Sequence, residues 1–502
     1  MSNEIEIVDL FAGPGGLGEG FSAAGRETTV PMSIRLSVEK DDFAIQTLRL
    51  RAFLRSFEGR FPAAYYDALN RSQTLPDWSE THGDNWKLAL EEAQQMELGG
   101  DGVFEHLTPI LDKIRERCGG RTVLIGGPPC QAYSVVGRAR NAGKKGYVPE
   151  SDGRHFLYRE YVSILDRLKP AAFVMENVKG MLSSQVNGGP IFERVFEDLR
   201  LAGDGYALLP LTVEGNVLSD RKAGEFIVRA EEHGVPQARH RVFIVGLRLD
   251  LAKGRKFVGP LLVKTKPSAI NSVVAAIGGM PRLRSGLSRE DSPDAWENVV
   301  KGWARRLAAD SSLPAALAPL FRRIVRASEP GTFPRATSAM ASHVVGSELA
   351  AWLEDPMLEV SIQHETRGHI ADDLGRYLYA SAFAKTYGYS PKLHEFPSAL
   401  QPDHANRATG AFADRFRVQL AELPSTTVTS HISKDGHYFI HPDPEQCRSL
   451  TVREAARLQT FPDNYHFCGP RTEQYKQVGN AVPCLLAKRI AHVVHDLITS
   501  GG

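Results

Sequence analysis

Residues 5–18 read IEIVDLFAGPGGLG, an apolar run from Ile5 to Phe11 that breaks into Gly13-Pro14-Gly15-Gly16-Leu17-Gly18 ahead of a helix-like stretch from Glu19 to Ala24. That succession predicts a strand, a tight turn and a helix. Outward from it the pattern repeats. Strands are expected over Ser33 to Glu39 and over Thr122 to Ile125, the latter ending at Gly126-Gly127-Pro128-Pro129. A fourth covers Ala171 to Met175 and ends at Glu176-Asn177-Val178; another covers Arg241 to Leu247, behind Gln237-Ala238-Arg239. Strands alternating with helical segments specify an α/β fold with an open, mostly parallel sheet. Ligands of such sheets gather at the carboxyl ends of the strands, where each of these motifs falls.

Two stretches depart from the alternation. Residues 48–95, rich in Arg, Phe and Trp, read as a helical insertion. From about 264 to 447 Pro, Ser, His and Arg become prominent, with turn-like stretches at Pro281–Arg284 and Gly331–Pro334. The expected organisation is a catalytic and ligand-binding domain over 1–263, a second domain over 264–447, and a segment over 448–502 that returns to the first. A chain of 502 residues accommodates this comfortably. No apolar run reaches bilayer length, and the opening MSNEIEIVDLF is too charged for a signal peptide, so a soluble cytoplasmic protein is expected. The net charge of +1 decides nothing about nucleic acid, because a basic cleft can be balanced elsewhere. Cys118, Cys130, Cys447, Cys468 and Cys484 are scattered without a C-x-x-C pair, which argues against a disulfide framework or a structural zinc site.

Gly13-x-Gly15-x-x-Gly18 has the spacing of a dinucleotide loop, and Glu39 lies where an acid could accept both hydroxyl protons of a ribose. NAD, FAD and S-adenosylmethionine sites share this arrangement, so the loop alone implies an adenosine-containing ligand and no more. The segment Gly126-Gly127-Pro128-Pro129-Cys130-Gln131-Ala132-Tyr133-Ser134 is more discriminating. Two prolines hold the chain out of regular pairing as it leaves a buried strand, which sets the Cys130 thiol at the mouth of the cleft.

GGPPCQAYS resembles the nucleophile motif of the DNA cytosine-5 methyltransferases. DLFAGPGGLGEGF resembles their cofactor loop, ENV at 176–178 their glutamate motif, QARHR at 237–241 their arginine motif, and RSLTVREAARLQTFPDNY and QVGNAVP their two C-terminal motifs. The matches occur in the family's order and cover both ends of the chain. The resemblance implies a Rossmann-like S-adenosylmethionine-dependent methyltransferase fold with a variable target-recognition domain at 264–447. It also implies double-stranded DNA as partner, action as a monomer on DNA, and association with a restriction or phage-defence system.

The chemistry follows residue by residue. Cytosine C5 is a poor nucleophile until a thiolate adds at C6 and breaks the conjugation; Cys130 would supply it. Glu176 would hydrogen-bond or protonate N3. Arg241 would reach O2 of the flipped base, and Arg239 a phosphate or the catalytic loop; a pair of surface arginines is the plainer alternative. Cofactor contacts carry over to Phe11, Gly13, Gly15, Glu39, Asn480 and Val482. The acid that follows the third strand is assigned to Asp101, with Asp84 as the alternative. The target base must leave the duplex, and Arg138, Arg140, Lys144 and Lys145, interleaved with glycines just after Cys130, suit a phosphate-seeking lid. His364-Glu365-Thr366-Arg367 and Thr426–His441 are candidates for DNA contact. His364 and His369 do not have the H-E-x-x-H spacing, and no metal is expected. Asn177 and Arg453 are read as braces. Rival readings are an RNA cytosine-5 methyltransferase, a catalytically inactive DNA-binding relative and an NAD-dependent oxidoreductase; the last leaves PPCQ, ENV, QARHR and GNAVP unexplained.

Overall fold

A computed structural model describes residues 4–57, 59–129, 157–186, 189–218, 222–266, 270–327, 333–337, 339–340, 347–402 and 414–500. The chain begins β1 (Ile5–Leu10), α1 (Gly16–Gly25), β2 (Met32–Glu39), then α2 (Ala44–Arg55), α3 (Ala63–Asn70), α4 (Trp78–Thr81) and α5 (Gly83–Glu92). It continues through β3 (Ala93–Gln95), α6 (Val103–Arg117), β4 (Thr122–Gly126), α7 (Leu157–Leu168), β5 (Ala172–Val178), α8 (Ile191–Leu201), β6 (Tyr206–Leu209), β7 (Ile227–Arg229) and β8 (His240–Arg248).

These strands form one eight-stranded sheet. β3, β2, β1, β4 and β5 lie side by side and parallel. β8 runs antiparallel to β5 on one edge and pairs with β7 and β6 along the other. Every residue of β1 is buried, as expected where helices cover both faces of a parallel sheet. Ile5 and Ile7 enter the core on one face, and Val8 and Leu10 the core on the other. Strand order reverses between β1 and β4, so the cleft at their carboxyl ends is the topological switch point.

The helical stretch read at 48–95 begins at Ala44, and its last three residues are β3, paired to Ser37–Glu39. The helices α2–α5 therefore form the crossover between neighbouring strands. They pack around Phe53, Tyr65, Tyr66 and Trp78, with Leu358 and Ile362 from far along the chain. The Ala93-Gln94-Gln95 strand is polar and short, which is why periodicity does not reveal it.

Beyond the sheet, α9 (Pro293–Ala309), α10 (Ala318–Arg326) and α11 (Ala371–Tyr387) enclose a separate core containing Trp296, Phe321, Tyr377 and Tyr379. Much of the described remainder of 264–447 is loop, tied by side chains to distant backbone. His364 Nε2 lies 2.9 Å from the Pro281 carbonyl, and Thr366 Oγ1 donates to Arg284 at 2.9 Å. α12 (Val452–Leu458), α13 (Arg471–Asn480) and α14 (Cys484–Thr499) then lead back to the sheet. α14 packs directly on α1. A Cβ on Gly20 would stand 2.4 Å from that of Ala487, and one on Gly16 would stand 2.3 Å from the Val482 carbonyl. Only glycine permits that approach. Arg448 and Glu454, 1 % and 0 % exposed in their side chains, form a buried ion pair at 2.6 Å where the loop region meets α12. Among the described residues Cys118, Cys447, Cys468 and Cys484 are free, and no helix is long and apolar enough to cross a membrane.

Candidate active site

β1 ends at Leu10 and the chain turns at once. Phe11 has φ +54°, a conformation costly for a residue with a Cβ, and Gly13 follows at +58°. The turn delivers the Gly13 N–H to Glu39 Oε2 at 2.8 Å, while Oε1 accepts from the N–H groups of Lys40 and Asp41, each at 2.9 Å. Glu39 closes β2, so two adjacent strand ends place the loop and the acid together. A Cβ on Gly13 would meet nothing within 4 Å, leaving that side of the loop open to a ligand. Beneath α1, Asp9 is wholly buried, and that burial pushes its carboxyl up to about 8.

β4 ends at Gly126, and Gly127-Pro128-Pro129 leads toward Cys130. Cys130 and the basic residues Arg138, Arg140, Lys144 and Lys145 lie outside the described residues. The approach to Cys130 is held by β5: Asn177 Nδ2 donates to the Pro128 carbonyl at 3.4 Å, and a Cβ on Gly127 would stand 3.0 Å from Glu176 Oε2. Asn177 therefore braces this segment. Glu176 and Arg241 meet because β5 and β8 pair in register, Glu176 opposite Phe243 and Arg241 opposite Val178. Arg241 Nε lies 3.1 Å from Glu176 Oε1, with both side chains largely buried. A carboxylate oriented by a guanidinium thus sits beside the backbone that carries the cysteine. Such a carboxyl can exchange a proton or a hydrogen bond with a ring nitrogen.

Arg239 bonds to the backbone of later segments. It is 3 % exposed, and Nη1 donates to the Val428 carbonyl at 2.8 Å and the Gly479 carbonyl at 3.5 Å. Through Nη1 it ties the strand end that carries Arg241 to two later segments of the chain. Gln237 acts alike, bonding Leu458, Gln459 and Val428. Asn480 is exposed at the end of α13, and Val482 packs on the start of α1 beside the glycine loop. Asp101 is exposed six residues beyond β3, in the turn before α6; Asp84 is exposed in the first turn of α5. The first carboxylate after β3 is Glu97, which the sequence reading passed over. Its neighbour Met96 donates its N–H to the Glu39 carbonyl at 3.0 Å, and Lys40 Nζ lies 2.9 Å from Glu97 itself.

The HETR candidate is largely internal. His364 and Thr366 are each 2 % exposed, and His364 is bonded at both ring nitrogens. Arg367 donates to the Ile432 and Lys434 carbonyls and lies over the Tyr475 ring at 4.3 Å. Each terminal nitrogen of Arg367 is thus engaged by a backbone carbonyl. Glu365 is exposed and pairs with Arg471. Within Thr426–His441, Thr429 and Lys434 are exposed, whereas Ile432, His437 and His441 are buried. Arg453 is buried and donates to the carbonyls of Ile362, Pro462 and Tyr465. Among the described residues no three His, Cys, Asp or Glu side chains gather as metal ligands.

A sequence profile for the C-5 cytosine-specific DNA methylases matches residues 113–496. Type II methyltransferase M.Bpa9945I of Bacillus paralicheniformis is 33 % identical, over 98 % of this chain and 99 % of that protein. Type II methyltransferase M.AgeI of Thalassovita gelatinovora is 26 % identical, over 99 % and 100 %. The solved structure of a prophage-encoded DNA modification methyltransferase (E. coli) superposes with a TM-score of 0.52 at 18 % identity, covering 99 % of each chain, and so shares the fold. With the profile spanning most of the chain and a relative aligned along nearly all of it, this protein belongs to the C-5 cytosine-specific DNA methylases and is a DNA (cytosine-5) methyltransferase.

Proposed function

We propose that Cys130, Glu176 and Arg241 form the catalytic set and that the glycine loop at the end of β1 takes S-adenosylmethionine. The Arg241–Glu176 pair at 3.1 Å, set against the Gly127 backbone three residues before Cys130, is the observation that carries this reading. Cys130 bonds to C6 of a cytosine swung out of the duplex, and Glu176 holds the proton or hydrogen bond at N3 as the ring loses aromaticity. Arg241 orients Glu176. S-adenosylmethionine, when bound, would supply the electrophilic methyl for C5; loss of the C5 proton to a base then expels the Cys130 thiolate from C6 and restores the ring. The open side of the loop at Gly13 and the carboxylate of Glu39 fit an adenosine-bearing group, with Phe11, Gly15, Asn480 and Val482 around it. Glu97, following β3 directly, is better placed than Asp101 to complete that set.

In this reading residues 1–263 and 448–502 form the catalytic unit and 264–447 reads the target sequence. Arg138, Arg140, Lys144 and Lys145 bind phosphate, and Arg239 braces the catalytic loop. The enzyme works as a monomer on double-stranded DNA in the cytoplasm, alongside a restriction or defence partner, as the type II names of its relatives suggest. Cys130→Ser tests the core of the proposal. Bisulfite sequencing of DNA from cells expressing the wild type is expected to show methylated cytosines in one sequence context. The variant is expected to leave none while still binding DNA carrying that sequence; undiminished methylation by Cys130→Ser overturns the mechanism.

A further inference from the structure

Tyr465 lies 451 residues from Pro14 in sequence, yet its hydroxyl donates to the Pro14 carbonyl inside the glycine loop. The N–H of the same peptide, that of Gly15, donates to the Ala12 carbonyl at 3.0 Å. The Pro14–Gly15 peptide plane is thus pinned from both sides. Gly15 is held at φ +97°, with the Tyr465 hydroxyl 3.0 Å from where a Cβ would stand. The ring has no freedom of its own. It is fully buried, the Arg51 guanidinium lies over it at 4.4 Å, and Arg453 holds its backbone carbonyl at 2.6 Å. Arg51 is itself fixed, with Nε and Nη2 on the two oxygens of Glu19 at 3.2 and 2.7 Å and Nη1 on Asn464 Oδ1 at 3.1 Å. Four separate elements (the loop, α1, α2 and the segment after α12) therefore converge on one peptide group.

We infer that Tyr465 is a positioning residue for the cofactor loop, and that Arg51, supplied by the β2–β3 crossover, locks it in place. A loop already held in its binding shape pays no ordering cost when ligand arrives. Removing the hydroxyl frees the peptide to rotate and returns that cost as weaker cofactor binding. The inference rests on the reading of this loop as the S-adenosylmethionine site.

Tyr465→Phe keeps the ring beneath Arg51 and deletes the one hydrogen bond. It is expected to raise the KM and Kd for S-adenosylmethionine about tenfold, leaving kcat at saturating cofactor and the KM for DNA within about twofold. Arg51→Lys, which retains charge against Glu19 but removes the guanidinium from the ring, is expected to produce a smaller shift of the same kind. The matched control is Tyr475→Phe. Tyr475 is equally buried, also lies beneath a guanidinium and donates to the Leu450 carbonyl at 2.7 Å, away from the loop. It is expected to lower the thermal midpoint about as much as Tyr465→Phe without moving cofactor affinity. Unchanged affinity in Tyr465→Phe, or an equal loss in Tyr475→Phe, overturns the inference. Glu39→Gln separates the underlying reading: if it too leaves S-adenosylmethionine affinity unaltered, the loop is not the cofactor site.

Discussion

In the sheet, Glu176 and Arg241 meet because two strands pair continuously, from Arg241 opposite Val178 to Leu247 opposite Ala172. In the region 264–447, the described pairings are as short as Gly286–Leu287 with Gly368–His369, and distant loops are joined mainly by side chains bonded to backbone. The first arrangement fixes where side chains point through backbone register, so a functional pair can sit at a strand end without supporting the fold. The second gives its polar side chains to support, so a residue that looks like a DNA contact is often already spent. Damage to the two regions should therefore show up in different measurements.

The largest expected effect is on catalysis. Glu176→Gln preserves size and a hydrogen bond to Arg241 but removes the acid, and methyl transfer should fall by about 10²–10⁴-fold. Its thermal midpoint should stay near that of the wild type; a collapse in stability with activity retained would erase the contrast. Arg448→Met probes the opposite case. It leaves Glu454 buried without its cation, and stability in urea should drop by about 3–5 kcal/mol. Turnover per folded molecule should be unaltered.

Asp9→Asn sharpens the comparison from within the sheet. The native carboxyl holds its proton up to about 8, whereas the unfolded chain releases it from about 3.8. The unfolded state is thus favoured progressively as pH rises between those values, and the penalty levels off above the upper one. Asn has no such proton, so its stability advantage over wild type should grow by about 1.4 kcal/mol between pH 6 and pH 7. A difference that stays constant across that interval would place the carboxyl in the ordinary acid range.

The strands that carry motifs were legible because each is a buried apolar run stopped by glycine, proline or a polar pair. β3 was not, because Ala93-Gln94-Gln95 lies at the sheet edge and carries no hydrophobic period; Glu97, just beyond it, therefore drew no notice. The relation between the two arginines of the QARHR stretch was less legible for a related reason. Alternation with Arg241 implies a shared face only along a continuous strand, and Arg239 falls in the break between Gln237–Ala238 and the start of β8. The histidines of 264–447 look like surface chemistry in sequence, and only the packing shows that His364 is held at both nitrogens. The Tyr465–Pro14 bond spans so much chain that no local pattern could announce it.

The contact of α1 with α14 sets an order of events during synthesis. The glycines at 16 and 20 rest on backbone and side chains of residues 482–488, which a ribosome adds more than 450 residues later. Contacts of such wide separation form late, because the intervening chain must first close on itself. While that stretch is unmade, the apolar underside of α1 faces water and the glycine loop has no floor. The α1–α14 contact thus cannot form on a nascent chain that has not yet reached residue 482.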